Sequence, residues 1–411
     1  MTLAPLPAVQ EEVLAAITRL EAVRVPLAEA QGLALAEEVR SGEAVPPFAN
    51  TAMDGYAVRA ADTTGAAAGS PVRLRVVGHL PAGHAPDRAV AAGEAIRIMT
   101  GAPIPPGADA VVMVERTAPE GDEAVRIEAA AAPGDHVRAA GGDLVAGAVV
   151  FPAGTVLGAA ALGVLASIGA AEVRVTRRAR VGVLSTGDEL VPADDPRPLE
   201  PGQIRDSNRP MLLALTREAG CEAVDLGIAR DDEVAITAAI ESATAAYDVV
   251  LTSGGVSVGD YDYVHTALGA LGTLLTWQVA IKPAKPLAFG VVGGTPVFGL
   301  PGNPVSSLVS FECFARPALL TRLGHPQRFR PEVQARAEHP FTRRRDGRLH
   351  LDRVWLHPTP EGYAVARTGE QASNVLSATA AANGLAKIPD GDGVPAGASV
   401  TVMRLDGVPD H

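Results

Sequence analysis

The chain has 411 residues, 47% of them apolar but only 4% aromatic, and a formal net charge of −12. That composition fits roughly two to four packed domains rather than a disordered chain, and it excludes a nucleic-acid binder relying on diffuse positive charge. Cys221 and Cys313 stand far apart, with no zinc-type Cys/His spacing, which predicts reduced thiols in the cytoplasm rather than a disulfide framework.

The first twelve residues lack the basic-then-apolar pattern of a signal peptide. Residues 9–24 read as an amphipathic helix, with Val13, Ala16, Ile17 and Leu20 on one face and Glu11, Glu12, Thr18 and Arg19 on the other. Pro26 and Gly32 then break the helical pattern. Residues 1–45 and 147–177 are assigned to an elongated linking domain with helices. The intervening residues 46–146 turn to short alternating runs such as 72–76 and 95–98, separated by Pro/Gly turns, and predict a β-rich domain. An uncharged stretch at 144–171 is long enough to span a membrane, but its Phe151-Pro152-Ala153-Gly154 turn and Ala/Gly content predict a buried helix near 157–168 instead.

Between 178 and 326 strands at 181–185, 223–226, 248–252 and 296–299 alternate with helices at 210–219, 233–245, 264–271 and 304–322. That order predicts a mostly parallel α/β sheet with helices on both faces. Residues 327–411 return to strands and predict a C-terminal β-barrel-like domain, with hairpin turns at 345–348 and 360–362. Arg343, Arg344, Arg345 and Arg348 flank the first turn and read as a solvated hairpin. The fold class expected is thus multidomain α/β plus β.

Ligands of open α/β sheets bind outside the carboxyl ends of the strands, and three such ends carry unusual loops. One is Ser185-Thr186-Gly187-Asp188-Glu189-Leu190. The second, Thr252-Ser253-Gly254-Gly255-Val256-Ser257, continues to Asp260 and Asp262. The third is Leu300-Pro301-Gly302-Asn303-Pro304-Val305-Ser306. The hydroxyls and glycine N–H groups suit a phosphate, and Asn303 before Pro304 predicts a capped helix whose first-turn N–H groups face an anion. The carboxylates would repel that anion unless a divalent cation intervenes, so Asp188, Asp260 and Asp262 are candidate Mg²⁺ ligands, with Glu189 nearby as an acid/base group. Lys282 and Lys285, in Ile281-Lys282-Pro283-Ala284-Lys285-Pro286, add two cations on a proline-stiffened loop. Each loop alone also suits an ordinary turn. Residues 202–210 lead into another helix, with Ser207 or Asn208 as cap. There is no GxxxxGK[ST], and no GxGxxG opening a helix after a strand, so P-loop and Rossmann readings drop out.

Together these segments resemble the molybdenum-cofactor biosynthesis domain. The domain is found in molybdopterin adenylyltransferases, which resemble the α/β part alone. It is found also in molybdopterin molybdenumtransferases of the MoeA type, similar to the E domain of gephyrin. Asn50-Thr51-Ala52-Met53-Asp54-Gly55-Tyr56-Ala57-Val58-Arg59 and Arg97-Ile98-Met99-Thr100-Gly101-Ala102-Pro103 resemble the second kind. The resemblance implies a homodimer of four-domain subunits whose active site lies across the subunit interface, with Asp54 and Thr100 acting there. It implies Mg²⁺-dependent conversion of adenylylated molybdopterin and molybdate to molybdenum cofactor and AMP, and the adenylyltransferase of the same pathway as a partner. By the same resemblance Lys282, Lys285 and Ser306 would hold molybdate, with Arg353 and Ser373 as further candidates. Asp188, Glu189 and Asp260 would hold metal and the pyrophosphate link, and Asp143 matches a recurring acidic position. Ala284 stands where glycine is usual, harmless if its φ is negative, and Ala372 and Asn374 depart from the pattern around Ser373. The alternatives are the adenylyltransferase activity and a non-catalytic scaffold of the same fold.

Overall fold

The computed structural model describes residues 3–255 and 263–405. Its helices and strands match the expected alternation over most of the chain, and the departures come where a strand's partner is distant in sequence.

The first helix covers Leu6–Ala15 and buries Leu6, Val9 and Val13. It ends well short of residue 24, because Ala22–Pro26 forms a strand antiparallel to Glu172–Thr176. Val23 and Val25 alternate there with Arg24, and β-branched residues at period two suit a strand. A second ribbon pairs Val39–Arg40 with Val149–Phe151, and the helix Ala159–Ser167 comes next. These pieces share a core of Leu33, Leu35, Leu157, Leu165, Val173 and Val175. No helix among the described residues is long and apolar enough to cross a membrane.

The β-rich domain is a six-stranded sheet in the order Ala110–Met113, Gly55–Val58, Glu94–Ile98, Val72–Leu80, Ala124–Ile127, Thr117–Glu120. Apolar clusters cover both its faces, so the Gly55–Val58 strand is buried throughout.

The α/β sheet has the order Glu222–Ala229, Arg180–Thr186, Val249–Ser253, Thr295–Leu300, Pro286–Val292, Thr273–Gln278. The first four run parallel, and Pro286–Val292 pairs antiparallel with both of its neighbours. Buried on both faces, the central strands read as unbroken apolar runs. The helix expected over 304–322 is one helical stretch in three parts. Pro304–Ser310 and Arg316–Arg322 flank a π-helical turn at Phe311–Ala315, where Glu312 is buried and paired with Arg330.

At the C-terminus, strands Leu349–Thr359, Gly362–Arg367, Glu332–Ala337, Ser399–Arg404 and Gly384–Ile388 close into a five-stranded barrel, because the last also pairs with the first. The turn at 360–362 joins two antiparallel neighbours as expected, but no hairpin forms around 345–348. Phe341–Thr342 pairs instead with Gly393–Val394. The Arg343 side chain, read as solvated, is 1% exposed and is held by Asp346 and Asp390. The short strand Ile281–Lys282 adds parallel to the edge of Leu349–Thr359, so the lysine segment is stitched into the barrel while its continuation re-enters the α/β sheet.

Candidate functional site

Strand Arg180–Thr186 ends in buried Ser185 and Thr186. Beyond it the Glu189 carboxylate folds back over the loop, where a Cβ on Gly187 would meet Glu189 Oε2 at 2.5 Å. Asp188 is exposed, and its Oδ1 accepts the Asp231 N–H at 3.3 Å.

Strand Val249–Ser253 ends in Gly254 at φ +101, where a Cβ would lie 2.6 Å from the Thr186 carbonyl oxygen and 2.8 Å from its Oγ1. Only glycine satisfies both that φ and that contact. Gly254 donates its N–H to the Leu300 carbonyl at 3.0 Å, and a Cβ on Gly302 would meet the Gly254 Cα at 3.9 Å. Gly255 comes next, also with positive φ. The three strand-end loops are therefore in backbone contact, as the expected convergence requires. Ser257, Asp260 and Asp262 lie outside the described residues.

Asn303 occupies the cap position before Pro304, but its side chain makes no capping hydrogen bond. The Val305 N–H, expected to face an anion, donates to the Ser373 carbonyl of the barrel at 3.1 Å. The helix end is thus partly satisfied by the neighbouring domain, and this contact brings Ser373 to Ser306.

Ala284 has φ +71, not the negative value that would make it harmless, so an L-residue holds the left-handed conformation usually left to glycine. The turn is closed by the Val279 N–H, which donates to the Lys285 carbonyl at 2.6 Å. Both lysine residues line a cleft of about 670 Å³ together with Ser306, Arg348 and Ser373. Lys282 and Lys285 are both exposed. The lysine pair and the two serines named from separate parts of the sequence thus share one wall-to-wall space between the α/β sheet and the barrel.

Arg353 is 1% exposed and works from behind that wall. Its Nη2 donates to the carbonyls of Glu370 and Ala372, and its backbone N–H to Gln371 Oε1. It shapes the loop that carries Ser373, and burial lowers its pKa. Arg348, which also lines the cleft, was hidden in the sequence by its place in an Arg-rich turn. It donates to Asp346, which accepts from Arg343 as well and shares a hydrogen bond with His350. Burial alone would raise the Asp346 carboxyl, but hydrogen bonds from His350 and Arg348 and the Arg348 charge hold it well below the usual carboxylate range.

A second cleft, of about 660 Å³, is lined by Gly187, Asp188, Arg197, Gln203, Arg209 and Arg230 among others. It shares no described lining residue with the lysine cleft. The carboxylate and lysine ends of the site therefore have different described linings. Asp54 and Thr100 lie in the β-rich domain as a bonded pair. Thr100 donates both its N–H and its Oγ1–H to Asp54 Oδ1, at 2.7 and 2.6 Å, and these bonds lower the Asp54 pKa. Neither residue hydrogen-bonds to the α/β domain among the described residues. Asp143 is exposed.

No group of three or more His, Cys, Asp or Glu that could hold a metal ion occurs among the described residues. Asp188 and Glu189 nevertheless suit Mg²⁺, which takes one or two carboxylates and fills its octahedron with water and phosphate oxygens.

A mostly parallel sheet with glycine-rich strand ends, a barrel stitched to it by a lysine strand and two clefts define a multidomain protein built around an open α/β domain that presents its ligand site at the strand ends. Residues 5–169 match the MoeA N-terminal region (domain I and II), 182–321 a probable molybdopterin binding domain, and 334–405 the MoeA C-terminal region (domain IV). A molybdopterin molybdenumtransferase 2 of Mycobacterium tuberculosis is 42% identical over 90% of this chain and 91% of its own. The molybdopterin molybdenumtransferase of Haemophilus influenzae is 38% identical over 92% of both. A crystal structure of a molybdopterin biosynthesis MoeA protein from Pyrococcus horikoshii superposes with a TM-score of 0.82 at 34% identity, covering 99% of this chain and 100% of that one. The chain belongs to the molybdopterin molybdenumtransferase family of transferases.

Proposed function

We propose that the protein inserts molybdate into adenylylated molybdopterin, releasing AMP and completing the molybdenum cofactor. The carrying observation is the gathering of Lys282, Lys285, Ser306 and Ser373 around one cleft beside the strand-end loops. Molybdate is a tetrahedral dianion. Two ammonium groups neutralise it and the two hydroxyls donate to its remaining oxygens, each bond strengthened by its charge. Thr186, Gly187, Ser253, Gly254, Gly255, Pro301, Gly302, Asn303 and Pro304 are assigned to hold the adenylylated pterin, with Ser257 assigned to it from the sequence alone.

Asp188 and Glu189, with Asp260 and Asp262, are assigned to Mg²⁺, which when bound supplies the positive charge that lets the pyrophosphate link sit beside carboxylates. Asp54 and Thr100, already rigid through their mutual bonds, are assigned to the same site from the second subunit of a homodimer. The adenylyltransferase of the pathway would hand over the activated pterin. The buried free thiols Cys221 and Cys313, pushed up to about 12 by burial, support placement in the reducing cytoplasm. The division into 1–45 with 147–177, 46–146, 178–326 and 327–411 is proposed with it, supported by the two ribbons that pair the first two segments.

Purified protein given adenylylated molybdopterin, molybdate and Mg²⁺ should release AMP, and chelation should stop release until Mg²⁺ is restored. Absence of AMP in an assay where a known family member works would overturn the proposal. ATP turnover without molybdate would point instead to adenylyl transfer.

A further inference from the structure

Asn208 is the first residue of helix Asn208–Glu218, a place where the sequence suggests a cap or a set of backbone N–H donors. The helix start is capped instead by Asp206, whose Oδ1 accepts the Arg209 N–H at 3.1 Å. Asn208 itself is only 8% exposed, and its side chain turns to the strand ends. Its Nδ2 donates to Ser253 Oγ and to the Gly302 carbonyl, both at 2.7 Å. The Gly302 carbonyl can only accept, which fixes the orientation of the amide and places both its hydrogens on these two loops. Oδ1 is buried with no partner among the described residues.

This has a directional consequence for Ser253. A hydroxyl that accepts from the Asn208 amide keeps its own hydrogen to give, and Ser253 stands at the carboxyl end of its strand, beside Gly254. We infer that Asn208 is a positioning residue that ties the Ser253 and Gly302 loops together and sets the Ser253 hydroxyl as a donor to a phosphate oxygen of the nucleotide-bearing ligand. The inference rests on the proposed function for the identity of that ligand. Neither Asn208 nor Ser253 lines the lysine cleft, so the loss on removing Asn208 is expected at the phosphate end more than at molybdate.

The test uses the full-length protein as N208A, S253A and the double variant. AMP release is measured against adenylylated molybdopterin and against molybdate, and AMP binding is measured by calorimetry. N208A should raise KM for the adenylylated substrate and weaken AMP binding by about tenfold, the size of a lost hydrogen bond to a charged group, with KM for molybdate within about twofold. Because Asn208 acts in part through Ser253, the double variant should lose less than the product of the two single losses. Multiplicative losses, or equal losses for both substrates, would overturn the inference. If N208A does not fold, N208D replaces it, keeping the size and losing the donors. If wild type releases no AMP, the proposed function fails and the calorimetry alone decides the matter for Asn208. Wild type that binds no AMP would overturn the inference as well.

Discussion

The two walls of the site are ordered by different physics. On the α/β side, backbone meets backbone: Gly254 lies against Thr186, Gly302 approaches Gly254, and a neutral amide, Asn208, holds two loops. On the barrel side, order comes from charge. Asp346 collects Arg343, Arg348 and His350, Asp352 takes Arg367, and Asp390 takes Arg343 again. A wall built from uncharged close contacts keeps its donors for an anionic ligand, whereas a wall of ion pairs has largely neutralised itself. The lysine turn sits between them and belongs to both.

The backbone-built wall should be the less forgiving. G254A places a methyl group 2.6 Å from the Thr186 oxygen at φ +101, so at least one loop must move. AMP release should fall by about 100-fold or more, with about 2–4 kcal/mol lost in chemical denaturation; near-normal activity would mean that close approach does not order this wall. At the border, K285A should raise KM for molybdate by about 10–100-fold, the value of a charge-assisted contact, while leaving the pterin substrate nearly unaffected. Equal losses for both would erase the distinction between the two clefts.

On the charged wall, burial lowers His350 below the ordinary imidazole value, against the raising pull of Asp346. Between that lowered value and about 6.5, the unfolded chain binds a proton that the folded chain does not, so stability is lost as the pH falls through this window. The thermal midpoint should drop between about pH 7 and pH 5. H350Q should flatten that slope without removing it, because burial also lowers His325. An unchanged slope in H350Q would show that the charged wall does not respond as described. The smallest effect is expected from A284G, which relieves the left-handed strain at φ +71 while giving up a buried methyl and loosening the unfolded chain. The net gain should be under about 1 kcal/mol by urea titration.

Much of the site was legible because its parts are local. Gly254, Gly302, Lys282 and Lys285 stand in short segments whose residue types state their chemistry, and the strand–helix alternation places them at strand ends. What could not be read locally were relations across the chain. Residues 16–24 have a helical pattern, yet Ala22–Pro26 pairs with a strand some 150 residues on. The arginines around 345–348 suggest solvent, yet Arg343 is buried among carboxylates from two loops. Asn208 suggests a cap, yet its partners are 45 and 94 residues away.

By itself the sequence determined the kind of elements, their order and the chemical character of each loop, because periodicity, turn residues and side-chain chemistry act over a few residues. Only the tertiary structure decided which loops touch, which charges are already answered and which residue serves a partner rather than its own helix. Those outcomes depend on burial and on pairings between distant segments, and no local pattern carries them.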